Sequence, residues 1–402
     1  MATPNQRPTG FPTHDAPQGT RYEDFVRPLS GFTSVPSIAA PSSSIVSGQN
    51  VWIQNGALQP RWRLASFSTG NPTSAAGMTG AFTHIDSKGS ATLVAFSSNS
   101  LAFLGSDLQW SVSSYLSSHG SSYFASFTPP GGGNVFAATC YLPRVDENIL
   151  MFSNNSDPIL VWQPLTAVHS IGTQVPICRD LVNFDNRPVA WNIKLLSGTT
   201  RYVQRVQWAV AGDPEDWTGI GSGSEDLLDM QGEGTRIFAD HDQMILASSA
   251  EVWRGRAVGL PYVFQFSPIT KKIGMPFPRA AIQTPWGLFW LDAGYMVWNM
   301  FGEQITPVGG VVREFLARDA AEDALTSAFF SYNQIAQTVT LYYVPAPTTT
   351  YTNPNRALTL HMDTGVWTRH TFWAGANAAG INFSANIAYT VTYPTDLTFP
   401  PL

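Results

Sequence analysis

Acidic residues are the side chains of this sequence whose spacing first suggests a chemical role. They form three groups: Asp213, Glu215 and Asp216; Glu225, Asp226 and Asp229; and Asp240 with Asp242. Cleavage of a glycosidic bond needs two carboxyl groups ~5–10 Å apart across one cleft. These acids fall in loop or turn positions, where a solvated surface is the ordinary interpretation. A second interpretation of the first two groups is the mouth or wall of a channel, where negative charge repels a DNA backbone.

Other motifs for catalysis or metal binding are incomplete. The segment DTGVW at residues 363–367 resembles the Asp-box of sialidases, but its tryptophan comes one residue early and His361 replaces the expected serine. The segment DHD at residues 240–242 holds the only histidine flanked by carboxylates, and three consecutive residues cannot all point at one metal ion. The sequence has no G-x-S-x-G elbow and no phosphate-binding glycine loop. We therefore expect no catalytic residue, no metal and no cofactor.

The tryptophans offer a choice between sugar binding and packing. Exposed indole rings can stack on sugars, whereas tryptophans at the same place in successive strands pack between repeated sheets. Most of the 13 tryptophans lie inside strand-like runs, which favours packing. The tryptophans considered are Trp110, Trp162, Trp191, Trp208, Trp217, Trp253, Trp286, Trp290, Trp298, Trp367 and Trp373.

The composition favours a component of a larger assembly. Charged residues make up 12% of the 402 residues, about half of the usual share of ~25%. The net charge of −6 argues against a general nucleic-acid binder, which needs a basic surface. Cys140 and Cys178 form no metal motif, and we expect two buried free thiols. A polar start and the lack of an apolar run of ~20 residues predict a chain that folds in a cytoplasm without membrane insertion.

Strand-like runs joined by short turns dominate the chain. Residues 51–53 and 58–64 flank Asn55-Gly56, the strongest short signal for a hairpin. Six similar units follow at roughly 45–55 residues, close to known propeller repeats. Their predicted starts are Thr79, Asn134, Ile177, Asp226, Ile273 and Leu325.

These repeats predict an all-β protein, a β-propeller of six or seven blades over residues 49–402. The count of seven would follow if the strand-like segments 50–64 and 381–393 shared a blade. Residues 311–328 are the best candidate for a helix, and they form either a short helix between two blades or an irregular loop.

Residues 1–48 differ from the rest because prolines recur through a background of serine, threonine and glycine. Prolines stiffen such a segment in extended form. It is either a disordered tail or an extended arm that anchors on a neighbouring protein, and spaced aromatic residues are the reason for the second interpretation. Those residues are Phe11, Tyr22, Phe25 and Phe32.

Several segments in a fixed order carry a resemblance to a known family. They are GDPEDW at 212–217, LLD at 227–229, EVWRG at 251–255, GLFWLDAGY at 287–295 and DTGVW at 363–367. The chain resembles the β-propeller tail hub, nozzle or stabilisation proteins of short-tailed bacteriophages. The resemblance covers most of residues 50–373 and is strongest over 201–315. The chain is more similar to the shorter hub type than to the longer nozzle type, which carries inserted domains.

The resemblance implies a structural protein of the virion tail. Such proteins form a six-fold ring below the portal and adaptor rings, extend the DNA channel, and hold a plug, needle or fibres. The implied partners are copies of the chain itself, tail adaptor proteins close to the portal, and a needle or tail fibres, with DNA only passing through. Assembly would take place in the host cytoplasm. The alternatives are a carbohydrate-binding propeller, as a lectin or a receptor-binding or decoration protein of the virion, and a propeller hydrolase.

Overall fold

The computed structural model describes residues 78–112 and 135–371, apart from 98–100, 108, 144, 163–167, 171–173, 197 and 348–353. Four short strands before residue 78 are described by their backbone. They are β1 (Gly31–Phe32), β2 (Ser44–Ile45), β3 (Val51–Gln54) and β4 (Ala57–Pro60). β1 pairs with β2 in parallel, and β3 pairs with β4 as an antiparallel hairpin.

Six four-stranded antiparallel sheets follow, each built from four consecutive strands. Blade one contains β5 (Met78–Ile85), β6 (Ala91–Ser97), β7 (Leu101–Leu104) and β8 (Trp110–Val112). Blade two contains β9 (Phe136–Leu142), β10 (Glu147–Ser153), β11 (Leu160–Trp162) and β12 (His169–Ser170). Blade three contains β13 (Ile177–Phe184), β14 (Arg187–Lys194), β15 (Arg201–Trp208) and β16 (Gly223–Asp226).

The remaining blades repeat this plan. Blade four contains β17 (Gly234–Asp240), β18 (Gln243–Ser248), β19 (Val252–Ala257) and β20 (Phe264–Thr270). Blade five contains β21 (Ala281–Thr284), β22 (Gly287–Leu291), β23 (Val297–Phe301) and β24 (Gln304–Pro307). Blade six contains β25 (Phe329–Asn333), β26 (Thr338–Tyr343), β27 (Arg356–His361) and β28 (Val366–Thr371). The predicted six-bladed β-propeller is confirmed.

Local sequence explains the tight turns of the blades. The turn between β13 and β14 is the pair Asp185-Asn186, and both residues have positive φ, 53° and 56°. A two-residue turn with this backbone matches the twist of the paired strands, and Asp and Asn tolerate it better than most residues. The register across the turn pairs Phe184 with Arg187, so the hairpin is as tight as the chain allows.

The first strand of each blade lies innermost. First strands of neighbouring blades contact each other, β9 with β13, β13 with β17, and β21 with β25. In an up-and-down sheet the connections alternate between its two ends. One face of the disc, here called the front face, therefore carries the connections from first to second and from third to fourth strands. The back face carries the others, including those between blades.

The apolar core is divided among the junctions between blades. One cluster joins blades two and three, another joins three and four, and further clusters join the blades on either side. Indole groups also donate hydrogen bonds across junctions, from Trp191 Nε1 to the Ala247 carbonyl and from Trp367 Nε1 to the Val308 carbonyl, both at 3.0 Å. The interpretation of the tryptophans as packing residues therefore holds for those that are buried: Trp162, Trp191, Trp208, Trp217, Trp253, Trp290 and Trp367.

The connection between blades five and six is helical, as expected for residues 311–328. It contains the helix α1 (Arg313–Asp319) and a 3₁₀ turn at Glu322–Ser327. Leu316 and Leu325 are buried there, so the connection closes the junction between these two blades. None of the helices in the described part of the chain is long and apolar enough to cross a membrane.

Blade boundaries differ from the prediction mainly in the second half of the chain. Blades one to three begin within two residues of the predicted positions, but blades four to six begin later, at Gly234, Ala281 and Phe329. The reason is that the connections before blades four and five carry buried apolar residues, such as Met230 and Met275, which look like parts of a strand. Cys140 and Cys178, on neighbouring inner strands, are buried free thiols as predicted.

The outer strand of blade six is covered, unlike the outer strands of blades three and five. Val366, Trp367, Thr368 and His370 on β28 are buried, whereas β16 and β24 have no buried residue. Both β1 and β3 contact β28. The hairpin of β3 and β4 thus forms a separate sheet beside blade six instead of completing a seventh blade, and residues 381–393 lie outside the described residues.

Candidate functional site

The two acidic groups of blade three lie at opposite ends of that blade. Asp213, Glu215 and Asp216 belong to the connection from β15 to β16, on the front face. Glu225 and Asp226 end β16 on the back face, where Asp229 follows in the connection to blade four. The structure therefore does not bring the two groups together, and their predicted place on a channel wall stays a prediction.

The front-face group builds a turn around a buried tryptophan. Asp213 Oδ1 accepts a hydrogen bond from the Glu215 backbone N–H at 3.0 Å. Asp216 Oδ1 accepts from the backbone N–H groups of Thr218 and Gly219, and these bonds hold the pKa of Asp216 below its usual value. Trp217 Nε1 donates to the Pro214 carbonyl at 3.0 Å. The carboxylates thus shape the loop, and only Asp213 stays fully exposed.

The back-face group keeps an excess of negative charge. Arg205 binds Asp226 through two hydrogen bonds, from Nε at 2.6 Å and from Nη2 at 2.5 Å. The hydrogen bonds with Arg205 lower the pKa of Asp226. Glu225 and Asp229, near that pair in sequence, are exposed, and Leu228 is 81% exposed. This surface, Glu225 to Asp229, is called the acidic edge below.

The remaining sequence candidates for metal binding and catalysis form turns. His241 is exposed, has a positive φ of 50°, and lies 3.0 Å from Asp240 Oδ1 at the hairpin tip of blade four. In the turn at residues 362–365, Gly365 has φ 70° and donates its N–H to the His361 carbonyl. Within the described residues no three histidine, cysteine, aspartate or glutamate side chains converge on one point.

A buried arginine occupies the axis of the propeller. Arg236 on β17 donates from Nε to Asp180 Oδ2 on β13 at 2.8 Å, and from Nη1 to the Pro278 carbonyl at 2.6 Å. Its guanidinium lies over the rings of Phe136 on β9, at 4.1 Å, and Phe238, at 4.5 Å. One side chain thus contacts blades two, three and four and the connection to blade five. Because it reaches the inner strands of blades two and three from blade four, it lies in the space that the inner strands enclose.

The Asp180 side chain is fixed by backbone hydrogen bonds in addition to the ion pair with Arg236. Its carboxylate also accepts the backbone N–H groups of Ile237 and Leu181, each at 2.8 Å. Burial raises the pKa of Asp180, and the charge of Arg236 with these hydrogen bonds opposes that shift. A buried ion pair that further hydrogen bonds hold in place is costly to break on one side. Sequence reasoning missed this pair, because nothing in the two segments showed that Asp180 and Arg236 would lie on neighbouring inner strands.

A second polar network joins blades two, three and four on the back face. Arg201 donates from Nε to Asn192 Oδ1 at 2.6 Å and also binds Asn155. Asn192 donates to the Gly234 carbonyl at 2.7 Å, and Arg179 binds Glu233 at 2.7 Å. Asn192 is buried with φ 55°, where the pairing of β14 with β15 shifts register. The bulge turns its amide toward the neighbouring blade, as bulges commonly do.

Apolar side chains are exposed at the front ends of blades three to five. Residues 256–262, at the end of β19 and in its connection to β20, are all exposed, and the Val258 N–H donates to the Val263 carbonyl to close the loop. Leu260 is 69% exposed and Tyr262 77% exposed. On the adjacent blades Ile220 and Phe301 are also exposed, at 91% and 66%. This surface, Ile220, residues 256–262 and Phe301, is called the apolar rim below.

The predicted arm lies largely outside the described residues. Phe11, Tyr22 and Phe25 are not among them. Phe32 belongs to β1, which is described by its backbone and contacts β28 of blade six. The prediction that these aromatic residues contact another protein stays a prediction.

Strand topology defines the class of the protein: the chain is a six-bladed β-propeller. No family model matches the sequence, and no curated protein matches it. Among solved structures it is similar to virginiamycin B lyase from Staphylococcus aureus, with 9% identity over 74% of this chain and 85% of that chain, at a TM-score of 0.41.

It is also similar to YCF48 bound to a D1 peptide, with 10% identity over 77% of this chain and 90% of that chain, at a TM-score of 0.39. A third similar structure, a chain of a nidogen–laminin complex, has 11% identity over 68% of this chain and 90% of that chain, at a TM-score of 0.37. Likenesses this distant carry no argument about what this chain does.

Proposed function

We propose that this chain is a non-enzymatic structural protein of a bacteriophage tail, a hub or nozzle subunit that forms a ring below the portal and adaptor proteins. The order of sequence motifs from residue 201 to residue 315 is the origin of the proposal. The single structural observation that supports it best is the apolar rim. Exposed apolar residues on one face suit a protein that functions inside an assembly, because contiguous exposed apolar surface marks contact sites.

The polar joint at the axis suits a particular version of this function. Arg236 and Asp180 occupy part of the space that the inner strands enclose and tie three blades together. In the proposed ring, DNA would pass between subunits and not through any one propeller. The exposed carboxylate of Asp213 suits a surface that a DNA backbone passes without binding.

The carbohydrate-binding alternative has less support from the described residues. Stacking on a sugar needs an exposed indole face, and seven tryptophans are buried in the junctions between blades. Trp110, Trp286 and Trp298 are half-buried, and Trp298 donates its N–H to Asp292 Oδ2 at 2.7 Å. A glycan array with the purified chain tests this alternative directly, and we expect no binding.

Immunogold electron microscopy of purified phage particles, with antibody against this chain, tests the proposed function. We expect label at the tail vertex, with several copies on each particle. Label over the whole capsid would identify a decoration protein and contradict the proposal. Absence of label from intact and from detergent-opened particles would also contradict it.

A further inference from the structure

Three cationic side chains come together at the back end of blade three. Arg179 lies near the start of β13, Lys194 ends β14, and Arg201 begins β15. Lys194 and Arg201 are partners in the register of β14 with β15, so their side chains lie on the same face of the sheet. Like charges directly opposite each other destabilise a pair of strands. This end of the blade therefore carries a repulsion that a bound anion would relieve.

The Arg201 guanidinium is half-buried, and its hydrogen bonds within the described chain all go to neutral groups. Its Nε donates to Asn192 Oδ1 at 2.6 Å, its Nη2 donates to the Asn192 carbonyl at 2.7 Å, and it also binds Asn155. Burial is the main reason why the pKa of Arg201 is lowered. Among the described residues, neither Arg201 nor Lys194 forms an ion pair. A guanidinium that has lost much of its water without gaining a carboxylate is suited to bind an external anion.

A single carboxylate lies among the three cations. Glu233, in the connection to blade four, accepts a hydrogen bond from Arg179 Nη1 at 2.7 Å, and its side chain is 53% exposed. Besides burial, three neighbouring groups shift the pKa of Arg201: Cys178, Arg179 and Glu233. The Cys178 thiol stays neutral, because burial raises its pKa to about 12. Three cations and one carboxylate leave a local charge of +2 (3 − 1).

The other carboxylates of the back face do not change this local count. The acidic edge belongs to the outer strand β16 and the connection after it. Asp157 in blade two accepts a hydrogen bond from Asn154 Nδ2 at 2.7 Å, and Glu251 in blade four accepts one from Trp253 Nε1 at 2.8 Å. None of these carboxylates is among the groups that shift the pKa of Arg201.

We propose that Arg179, Lys194 and Arg201 form a binding site for a dianionic phosphate group. A dianion matches the local charge of +2, whereas a carboxylate would leave the three cations in excess. The planar guanidinium fork of arginine fits phosphate oxygens, and lysine adds a point charge. The group is a phosphate monoester or free phosphate, which share this chemistry. The site goes beyond the proposed function, because it stands on contacts within blades two to four and not on a place in a tail.

The polar network between the blades holds the site in place before a ligand arrives. Asn192 accepts from Arg201 and donates its Nδ2 to Glu233 Oε1 at 3.2 Å and to the Gly234 carbonyl at 2.7 Å. The two arginines are thus linked through one amide and one carboxylate. Fixed donors lose less side-chain entropy when an anion binds. The Lys194 ammonium makes no hydrogen bond with the described residues, so its donors are available to the ligand.

Isothermal titration calorimetry of the full chain tests the site with three small probes. Methyl phosphate and inorganic phosphate carry close to two charges at about pH 8, whereas dimethyl phosphate carries one at any such pH. We expect both dianions to bind, and dimethyl phosphate to bind at least about tenfold more weakly, because it lacks one charged oxygen. The tighter of the two dianions identifies the source, a monoester or free phosphate.

Three variants change the local charge in known directions. Lys194→Gln removes a cation without breaking a described hydrogen bond, and it should weaken binding of the dianions by about tenfold or more. Glu233→Gln raises the local charge to +3 (3 − 0) and should strengthen binding, a direction that simple damage to the fold does not produce. Lys272→Gln is the matched control, because it changes an exposed lysine on the back face of blade four and should bind as the wild type does.

Several results would overturn the proposal. They are no binding of either dianion, equal affinity for dimethyl phosphate, and the same loss in Lys272→Gln as in Lys194→Gln. Weaker binding in Glu233→Gln would also overturn it, because the local charge would then not determine affinity. Thermal denaturation of each variant without ligand confirms that the propeller is folded, and Lys194→Gln keeps the test decisive if the loss of Glu233 unfolds the chain.

Discussion

The axis and the apolar rim differ in the chemistry and the burial of their side chains: charged side chains are buried at the axis, and apolar side chains are exposed at the rim. At the axis, Arg236 and Asp180 are charged and buried. They form an ion pair, and Arg236 also donates a hydrogen bond to the Pro278 carbonyl and lies over the ring of Phe136. At the rim, Leu260 and Tyr262 are apolar and exposed, and the loop that holds them is closed only by its own backbone. The charged groups at the axis find their partners within the same chain, whereas the apolar side chains of the rim are not covered by it.

The difference separates stability from association. Residues at the axis should determine whether the propeller folds, because their charges have no access to water once a partner is lost. Substitutions at the rim should leave the stability of the fold unchanged, because Leu260 and Tyr262 are already exposed to solvent in the folded chain. Four substitutions test this division, in order of expected effect.

Removal of the axial carboxylate should have the largest effect. Asp180→Ala leaves the Arg236 guanidinium buried without its counter-charge, and breaking a buried pair on one side costs about 3–5 kcal/mol. Urea denaturation followed by tryptophan fluorescence measures the loss in free energy of unfolding. Glu314→Ala, which breaks an exposed pair with Arg318 on α1, should change it by less than about 0.5 kcal/mol. Equal losses in the two variants would show that the axis is not a special joint.

A buried histidine in blade six should make stability depend on pH. Burial lowers the pKa of His361 to about 4, below the ~6.5 of an unfolded histidine. The folded-state pKa is the lower one, so the unfolded chain binds more protons, and stability is lost as pH falls from about 6.5 toward 4. At pH 5 the loss should be about 2 kcal/mol.

Denaturation midpoints at several pH values, in wild type and His361→Gln, measure this contribution. The variant should lose less stability on acidification than the wild type does. His241→Gln is the matched control, because it makes the same change at a histidine that is exposed at a hairpin tip and not buried. Parallel profiles for all three chains would contradict the assignment of the effect to burial of His361.

A smaller effect should follow from loss of one hydrogen bond between blades. Trp191→Phe removes the N–H that binds the Ala247 carbonyl of blade four. Trp208→Phe removes an indole of similar burial whose N–H has no hydrogen-bond partner. Both variants leave a cavity, so the difference between them reports the hydrogen bond, about 1 kcal/mol. A greater loss for Trp208→Phe in thermal or urea denaturation would show that packing and not bonding dominates at the junction.

The rim should show almost no effect on stability. Leu260→Ser replaces a side chain that is 69% exposed, and substitutions of this kind usually change the free energy of unfolding by less than about 0.5 kcal/mol. Measurement at a concentration below that of assembly isolates folding from association. A loss comparable to that of Asp180→Ala would remove the distinction between the two regions.

Sequence patterns predicted the repeats because each blade is a local structure. Hairpins such as the one at Asp185-Asn186 depend on turn residues a few positions apart, and the predicted start at Ile177 is the observed one. The tip at residues 240–242 was also interpreted correctly as a solvated turn. In these cases the physical cause is contained within the segment itself.

The sequence did not predict the buried ion pair at the axis or the exposed apolar residues of the rim, because contacts and exposure at these places depend on distant parts of the chain. Arg236 meets Asp180, Pro278 and Phe136 only after three blades and the connection to blade five have come together. Leu260 is apolar in a loop between two strands, and sequence alone does not reveal that nothing in the same chain covers it. The face of the propeller on which each acidic group of blade three lies likewise depends on how the strands of the blade are ordered.

The contact of β3 with β28 has a consequence for biosynthesis. Val51 and Val366 begin these two strands, so 315 residues (366 − 51) separate partners that touch in the finished protein. At roughly 5–20 residues per second, a ribosome takes roughly 15–60 seconds to make the intervening chain. During that time β3 has been synthesised but β28, the strand that it contacts in the folded protein, has not. The strand β1, which begins earlier at Gly31 and also contacts β28, waits longer still.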